Sequence, residues 1–420
     1  MKSGPLILAL ESLLYPLLLF VFTPYIIDVI GTDGYGLWSY VNAAIGAGSV
    51  FSFGTAMAAV RILSADIGSA RQEVIDTSVR SILGIFFLQG LVVAAAVCVL
   101  VLGMVPSGEA SIWAGGALVL YGVTISILEQ MDVALSSILR AGQHFSAMLK
   151  YDVMVRIAQL GLAYAAGRWL GLSAMLVIFV LVAALRLTLK VAVARGLMFR
   201  TLDWFGPYRL MPIAAQARFG WLQGGMGGIM FFADRLFAGH LLGPHAVALL
   251  SVLTLIPQQF HAVSVAAISY VYPRMARQRS ENALAWSTAR ANILKLSGGI
   301  AIVLLLTAAA LAWLSDWFLA LWLKGRFGPN IAPLFVLVFW SYLLQLLNAP
   351  SYFLLGAYNR NGLLTIMMSV AGVLSLALLQ PLITCYGMYG AAYGKIFYGV
   401  LCLSMLVYVW VRPHENSHSQ

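Results

Sequence analysis

Apolar residues fill this chain in long unbroken blocks, with only brief polar interruptions between them. The first block, "PLILALESLLYPLLLFVFTPYII", gives way to "GTDGYG" and then to a second block of similar length. Blocks of roughly 20 apolar residues match what an α-helix needs to cross a bilayer. They lack the period-two alternation of membrane β-barrel strands. Windows of about 19 residues predict twelve spanning helices, at 5–30, 36–60, 81–105, 112–138, 150–169, 172–194, 218–242, 246–272, 293–322, 331–355, 363–385 and 387–411. The longest connections are polar, from Arg61 to Arg80, Arg195 to Arg218 and Arg274 to Arg290. The expected fold class is an all-α integral membrane protein.

Composition agrees: the chain is 61% hydrophobic and 10% charged, with mean hydropathy +0.91, where soluble domains carry about 25% charged residues. The first block is too long for a signal-peptide core and no small-residue cleavage site follows it, so it reads as a retained span. Cys98, Cys385 and Cys402 fall inside apolar blocks, without the spacing of a disulfide framework or a metal site. The tail "HENSHSQ" reads as a solvated end, and no metal or cofactor is expected. The P-loop pattern GxxxxGK[ST] is missing, so ATP hydrolysis by this chain is not expected.

The net charge of +10 does not call for nucleic acid once its distribution is considered. With the N-terminus inside, 20 Lys and Arg fall to the cytoplasmic side, Arg156, Arg186 and Lys190 among them, against 3 outside (Arg168, Lys324, Arg326). Arg235 and Lys395 are left within spans. Cytoplasmic loops are enriched in basic residues, so both termini are placed in the cytoplasm of a bacterial inner membrane.

The two halves repeat. A shift of 212 lays Gly31 on Gly243, Leu37 on Leu249, Ser39 on Ser251 and Ser52 on Ser264. A shift of 216 aligns "LEQMDVALSSILRAGQ" with "LQLLNAPSYFLLGAYN", pairing Glu129 with Gln345 and Asp132 with Asn348. Six helices per half make this a parallel repeat, as in transporters built from two rocking bundles. The expected division is a first bundle at 1–200, a cytoplasmic linker at 201–218 and a second bundle at 219–420.

The stretches "P…IGTDGYGLWSY…FGTAMAAVRILSAD" and "DRLFAGHLLG…YPRMARQ" resemble the polysaccharide (O-antigen-type) flippases of the multidrug/oligosaccharidyl-lipid/polysaccharide (MOP) exporter superfamily. The resemblance covers nearly the whole chain through span order and loop placement. It implies two six-helix bundles around a central cavity and export of undecaprenyl-diphosphate-linked sugar repeat units by alternating access. Membrane lipids, a polymerase and a chain-length regulator are the further partners expected. Lipid II flippases of the same superfamily usually carry fourteen spans and an Arg-rich first span; here that span holds Glu11 and no Arg.

Ionisable groups at the bilayer centre cost about 2.5–3.5 kcal/mol on insertion scales, so each needs a cavity or a partner. Six are placed there: Glu11, Glu129, Asp132, Asp234, Arg235 and Lys395. Arg235 and Lys395 are candidates for the lipid diphosphate, with a structural ion pair as the plainer reading of each. Asp234 reads as the partner of a cation on another helix. Glu129 and Asp132, at i and i+3, share a helical face that Ser136 continues. Gln345, Asn348 and Tyr352 repeat that face in the second half, as a cavity wall or as interhelical hydrogen-bond glue. Glu11, Glu129 and Asp132 are candidates for coupling to a proton or sodium ion. Gly224, Gly225, Gly227 and Gly228 suit a hinge or close packing, Pro257 and Pro350 suit kinks, and His261 reads as a core residue.

The leading expectation is a non-enzymatic flippase. One rival is a membrane polysaccharide polymerase or glycosyltransferase, which needs a larger outer loop with catalytic residues. The other is a cation-coupled drug antiporter of the same fold, which would favour an acidic cavity. Reporter fusions check the topology: those after Gly108 and Gly328 should read as extracytoplasmic, and those after Ser69 and Gly362 as cytoplasmic. An external reading after Ser69 would overturn it.

Overall fold

The computed structural model describes the backbone of residues 4–68, 72–104, 109–197, 208–269, 286–328, 330–358 and 360–411. No strand occurs among these residues. Hydrocarbon offers no water to a backbone N–H or C=O, and a helix satisfies both within one segment. In order the helices are α1 (Gly4–Gly68), α2 (Gln72–Leu102), α3 (Glu109–Ala141), α4 (Phe145–Leu197), α5 (Leu210–Leu242), α6 (Pro244–Ser269), α7 (Trp286–Leu323), α8 (Ala332–Ala357), α9 (Asn361–Tyr386), α10 (Met388–Cys402) and α11 (Ser404–Val411).

Nine stretches of the described residues are long and apolar enough to cross a membrane. Two of them, Leu17–Val50 and Met154–Gly196, contain a break, at Gly31 and Gly171, so each holds two arms. The 33-residue α5, about 50 Å long, completes the twelve expected crossings. Helix boundaries differ from the hydropathy windows where the chain leaves the lipid. The connection from Arg61 to Arg80 was expected to be a loop, yet α1 continues to Gly68 and α2 starts at Gln72. Hydropathy marks where the lipid ends, whereas polar residues continue a helix well in water. Ser78 donates a hydrogen bond to Asp66 and ties the two extensions together. Of the linker at 201–218, residues 201–207 lie outside the described residues, and the remainder enters α5. Arg274, Arg277 and Arg279 also lie outside them.

The repeat is written into the backbone. Gly31 (φ 74°, ψ 170°) and Gly243 (φ 87°, ψ −178°), 212 apart, turn the chain between paired arms in the same left-handed conformation. Gly171 (φ 81°) and Gly387 (φ 57°), 216 apart, do the same later in each half. Glycine adopts such angles without steric penalty. The 216 shift also superposes the end of α3 on the end of α8, at Ala141 and Ala357, and the start of α4 on the start of α9, at Phe145 and Asn361.

Packing divides the chain into two compact units, Met1–Ala248 and Leu249–Gln420. In the first, Leu63, Ile82, Phe86, Leu135 and Ile138 join α1, α2 and α3 around one apolar core. The second arm of α1 also lies along α5 and the start of α6 at glycine-to-backbone distance. A Cβ on Gly36 would stand 1.9 Å from the Pro244 carbonyl oxygen, and one on Gly220 2.6 Å from the Gly54 Cα. Gly228 likewise abuts Val50, so here small residues permit close packing. The second unit gathers Leu354, Leu355, Leu364, Met405 and Val409 from α8, α9 and α11.

Candidate functional site

The hairpin of α4 folds about Gly171, so residues equally far from that glycine in sequence meet at the same height. Asp152 and Lys190 each stand 19 residues from Gly171, and Arg156 and Arg186 each stand 15. These separations correspond to roughly 28 Å and 22 Å of helix. Lys190 Nζ lies 3.0 Å from Asp152 Oδ1 on the opposing arm. From α3, Asp132 Oδ2 accepts a hydrogen bond from Lys190 Nζ at 2.9 Å and Ser136 Oγ accepts another at 3.1 Å. Arg186 Nε stands 3.3 Å from Asp132 Oδ1. The four charged residues are buried, Lys190 being only 2% exposed. A cation this deep is tolerated because carboxylates surround it.

One turn from that cluster is a pocket with about 30 Å³ of free space. Its charged lining is Glu129, Arg156 and Arg186, and its polar lining includes Gln159, Asn42 and Tyr121. Arg186 therefore has two roles, holding Asp132 and lining the pocket. The far wall is a fixed polar and aromatic assembly. Trp38 Nε1 donates to Tyr121 Oη (3.3 Å), Tyr121 Oη donates to Asn42 Oδ1 (3.1 Å), and Asn42 Nδ2 donates to the Trp38 carbonyl (2.7 Å). The Trp38 and Phe179 rings pack with centroids 5.4 Å apart. By formal charge, the three acids Glu129, Asp132 and Asp152 match the three bases Arg156, Arg186 and Lys190.

The sequence-derived candidates distribute as follows. Glu129 and Asp132 come together here, as their spacing on one face predicts. Gln345 and Asn348 belong to the second unit. There, Gln345 Nε2 donates to the Ser341 carbonyl of its own helix at 3.2 Å, and Asn348 Nδ2 to Met405 Sδ at 3.4 Å. Asp234 is buried on α5, and the Arg235 guanidinium lies 5.7 Å from the Phe232 ring centroid. Lys395, 2% exposed, donates to Tyr342 Oη at 3.1 Å and sits 4.9 Å from that ring's centroid, in the second unit. The Glu11 side chain lies outside the described residues.

Arg156, Arg186 and Lys190 were counted with the cytoplasmic loops, which left Arg235 and Lys395 as the basic residues within spans. In the structure Arg186 and Lys190 are buried inside the helical bundle and Arg156 lines its pocket. Single-helix hydropathy cannot see the acids that compensate them from α3 and the other arm of α4. Two signals pointed there: the four-residue spacing of Asp152–Arg156 and of Arg186–Lys190, and the register of these pairs about Gly171.

The second half builds the same hairpin without charge at the corresponding positions, its buried base being Lys395, elsewhere on α10. At a shift of 216, Asp152 corresponds to Met368, Arg156 to Gly372, Arg186 to Cys402 and Lys190 to Leu406. The hairpin itself therefore does not require charge at those four positions.

No family model and no curated protein sequence matches the chain. Solved structures match along nearly its whole length. An inward-facing multidrug resistance MATE family transporter of the MOP superfamily superposes with a TM-score of 0.68 at 15% identity, over 98% of this chain and 97% of that one. The lipid II flippase MurJ, in an inward closed conformation, gives 0.71 at 14% identity, over 97% and 88%. The eukaryotic MATE transporter AtDTX14 gives 0.64 at 13%, over 98% and 95%. The chain shares the fold of these proteins.

Removing the Lys190 ammonium leaves Asp132 and Asp152 buried without their shared cation. Lys190→Met should cost about 3–5 kcal/mol of stability, read as a lower melting temperature of the detergent-purified protein. Adding Asp152→Asn should restore part of the loss. An unchanged melting temperature for Lys190→Met would contradict the geometry.

Proposed function

We propose that this chain is a flippase that carries an undecaprenyl-diphosphate-linked oligosaccharide from the cytoplasmic to the outer leaflet by alternating access. On this reading it performs no covalent chemistry and works beside a polymerase and a chain-length regulator in surface-polysaccharide synthesis. The observation that supports it is the charged pocket in one repeat, where the other repeat has Met368, Gly372, Cys402 and Leu406 at the positions of Asp152, Arg156, Arg186 and Lys190. Paired guanidiniums suit a diphosphate, because each offers a planar fork of donors to phosphate oxygens. Asn42, Gln159 and the aromatic wall of Trp38 and Tyr121 are groups that suit sugar hydroxyls and ring faces. With the termini in the cytoplasm, Arg156 and Arg186 lie in the half of the bilayer nearer the cytoplasm, where a substrate made inside would load. The shared fold with the lipid II flippase MurJ and the MATE transporters is compatible with this reading.

A second reading is a cation-coupled drug antiporter, favoured by Glu129, a carboxylate beside the aromatic wall. The two diverge on the arginines. In a host whose surface polysaccharide depends on this chain, Arg186→Ala and Arg156→Ala should each lower polysaccharide export roughly tenfold or more at normal protein levels. Lys substitutions should retain part of the export, since charge persists while the fork is lost. Undiminished export by the Arg156→Ala, Arg186→Ala double variant would refute the flippase reading. Drug efflux that depends on Glu129 and not on the arginines would support the antiporter.

A further inference from the structure

A second cavity, of about 550 Å³, lies wholly within the second unit and has the size of a small-ligand site. One wall is a face of α7, made by Asp316, Leu319, Ala320 and Leu323 at i, i+3, i+4 and i+7. The other is the connection to α8, through Gly325, Asn330 and Ile331. That connection is anchored. Arg326 Nη1 donates to the Leu323 carbonyl at 3.3 Å, the Gly328 N–H donates to the Gly325 carbonyl at 3.1 Å, and Phe327 is buried. The side chains lining the cavity are apolar except Asn330 and Asp316. Among the described residues of 249–420, Asp316 is the one carboxylate. A carboxylate on a helix as apolar as α7 is costly unless a cation or donors meet it, and this one opens on the cavity.

The mouth of the cavity sets the class of ligand. Asp316 and Ala320 are exposed, and beside them on the same helix Trp313 and Trp317 are 84% and 66% exposed. Exposed tryptophans of a spanning helix gather at the level of the lipid headgroups. α7 has 38 residues, about 57 Å of helix. A bilayer with its headgroups measures about 40–45 Å, so an end of α7 rises past the hydrocarbon. We propose that this cavity receives the primary-ammonium headgroup of a phospholipid of the phosphatidylethanolamine type, with Asp316 as its anionic receptor. The acyl chains lie along the lipid face of α7, and the ammonium turns in past Ala320 to the carboxylate. A primary ammonium carries three N–H donors, enough for a charge-assisted contact with Asp316 and a further bond to the Asn330 amide oxygen. A choline headgroup has the charge but no N–H, and a glycerol headgroup has no positive charge. The inference is independent of the substrate assigned to the first unit.

The test is the lipid affinity of the full-length protein, purified in detergent and read by native mass spectrometry. The probes are dioleoyl phosphatidylethanolamine, phosphatidylcholine and phosphatidylglycerol. Charge-assisted hydrogen bonding predicts that the ethanolamine lipid binds about tenfold more tightly than either of the others. Asp316→Asn, a nearly isosteric change at an exposed position, should reduce that preference to about twofold or less. Ala320→Phe, which fills the mouth and keeps the carboxylate, should do the same. Both variants should bind the choline and glycerol lipids as the wild type does, which reports that they remain folded. Equal binding of the three lipids by the wild type overturns the assignment, and so does an ethanolamine preference that survives either substitution. Soluble glycerophosphoethanolamine that displaces the lipid at equal concentration also overturns it, since the headgroup alone would then suffice.

Discussion

The Lys190 ammonium is the group on which the first unit is organised. It reaches Asp152 across the α4 hairpin and Asp132 and Ser136 on α3, at 2.9 to 3.1 Å. Three helical arms are thereby fixed at one height by one side chain. An ammonium so deep in an apolar bundle is sustained only by full pairing, and the acids are equally dependent on it. The same network sets Arg186, whose Nε lies against Asp132 while the side chain lines the pocket. The ion pairs that hold the arms together and the lining of the pocket thus share the Arg186 side chain.

The asymmetry between the repeats separates scaffold from site. Both halves use glycines at matching positions, Gly31 with Gly243 and Gly171 with Gly387, to turn the chain. Both end and restart helices in the same register, at Ala141 and Phe145, then at Ala357 and Asn361. Yet one hairpin carries Asp152, Arg156, Arg186 and Lys190, and the other carries Met368, Gly372, Cys402 and Leu406 at the corresponding positions. The second unit's Asn348 meets a methionine sulfur rather than a charge. The second hairpin closes without charge at these four positions, so the network in the first is a feature of that unit alone and not of the shared fold.

Much of this was legible in the sequence. The twelve crossings follow from apolar block length, and the repeat from the two shifts, because both properties are local along the chain. Glu129 and Asp132 were visible as a stripe, since spacing alone puts them on one face. Their partners were not. Arg156, Arg186 and Lys190 sit near the ends of their spans, where a basic residue usually marks the cytoplasmic edge. Only the height at which the α4 arms meet α3 distinguishes a buried ion pair from a loop cation, and that is a tertiary property. Lys395 was legible as a base within a span and a candidate for the diphosphate, whereas its contact with Tyr342 in the second unit is tertiary and was not.

The most direct measurement is the position of the phosphorus atoms in an experimental structure of the protein with a bound prenyl diphosphate. They should lie between the Arg156 and Arg186 guanidiniums, with the Lys190–Asp132 contact retained. Phosphates held by Arg235 or Lys395, away from both arginines, would contradict that placement.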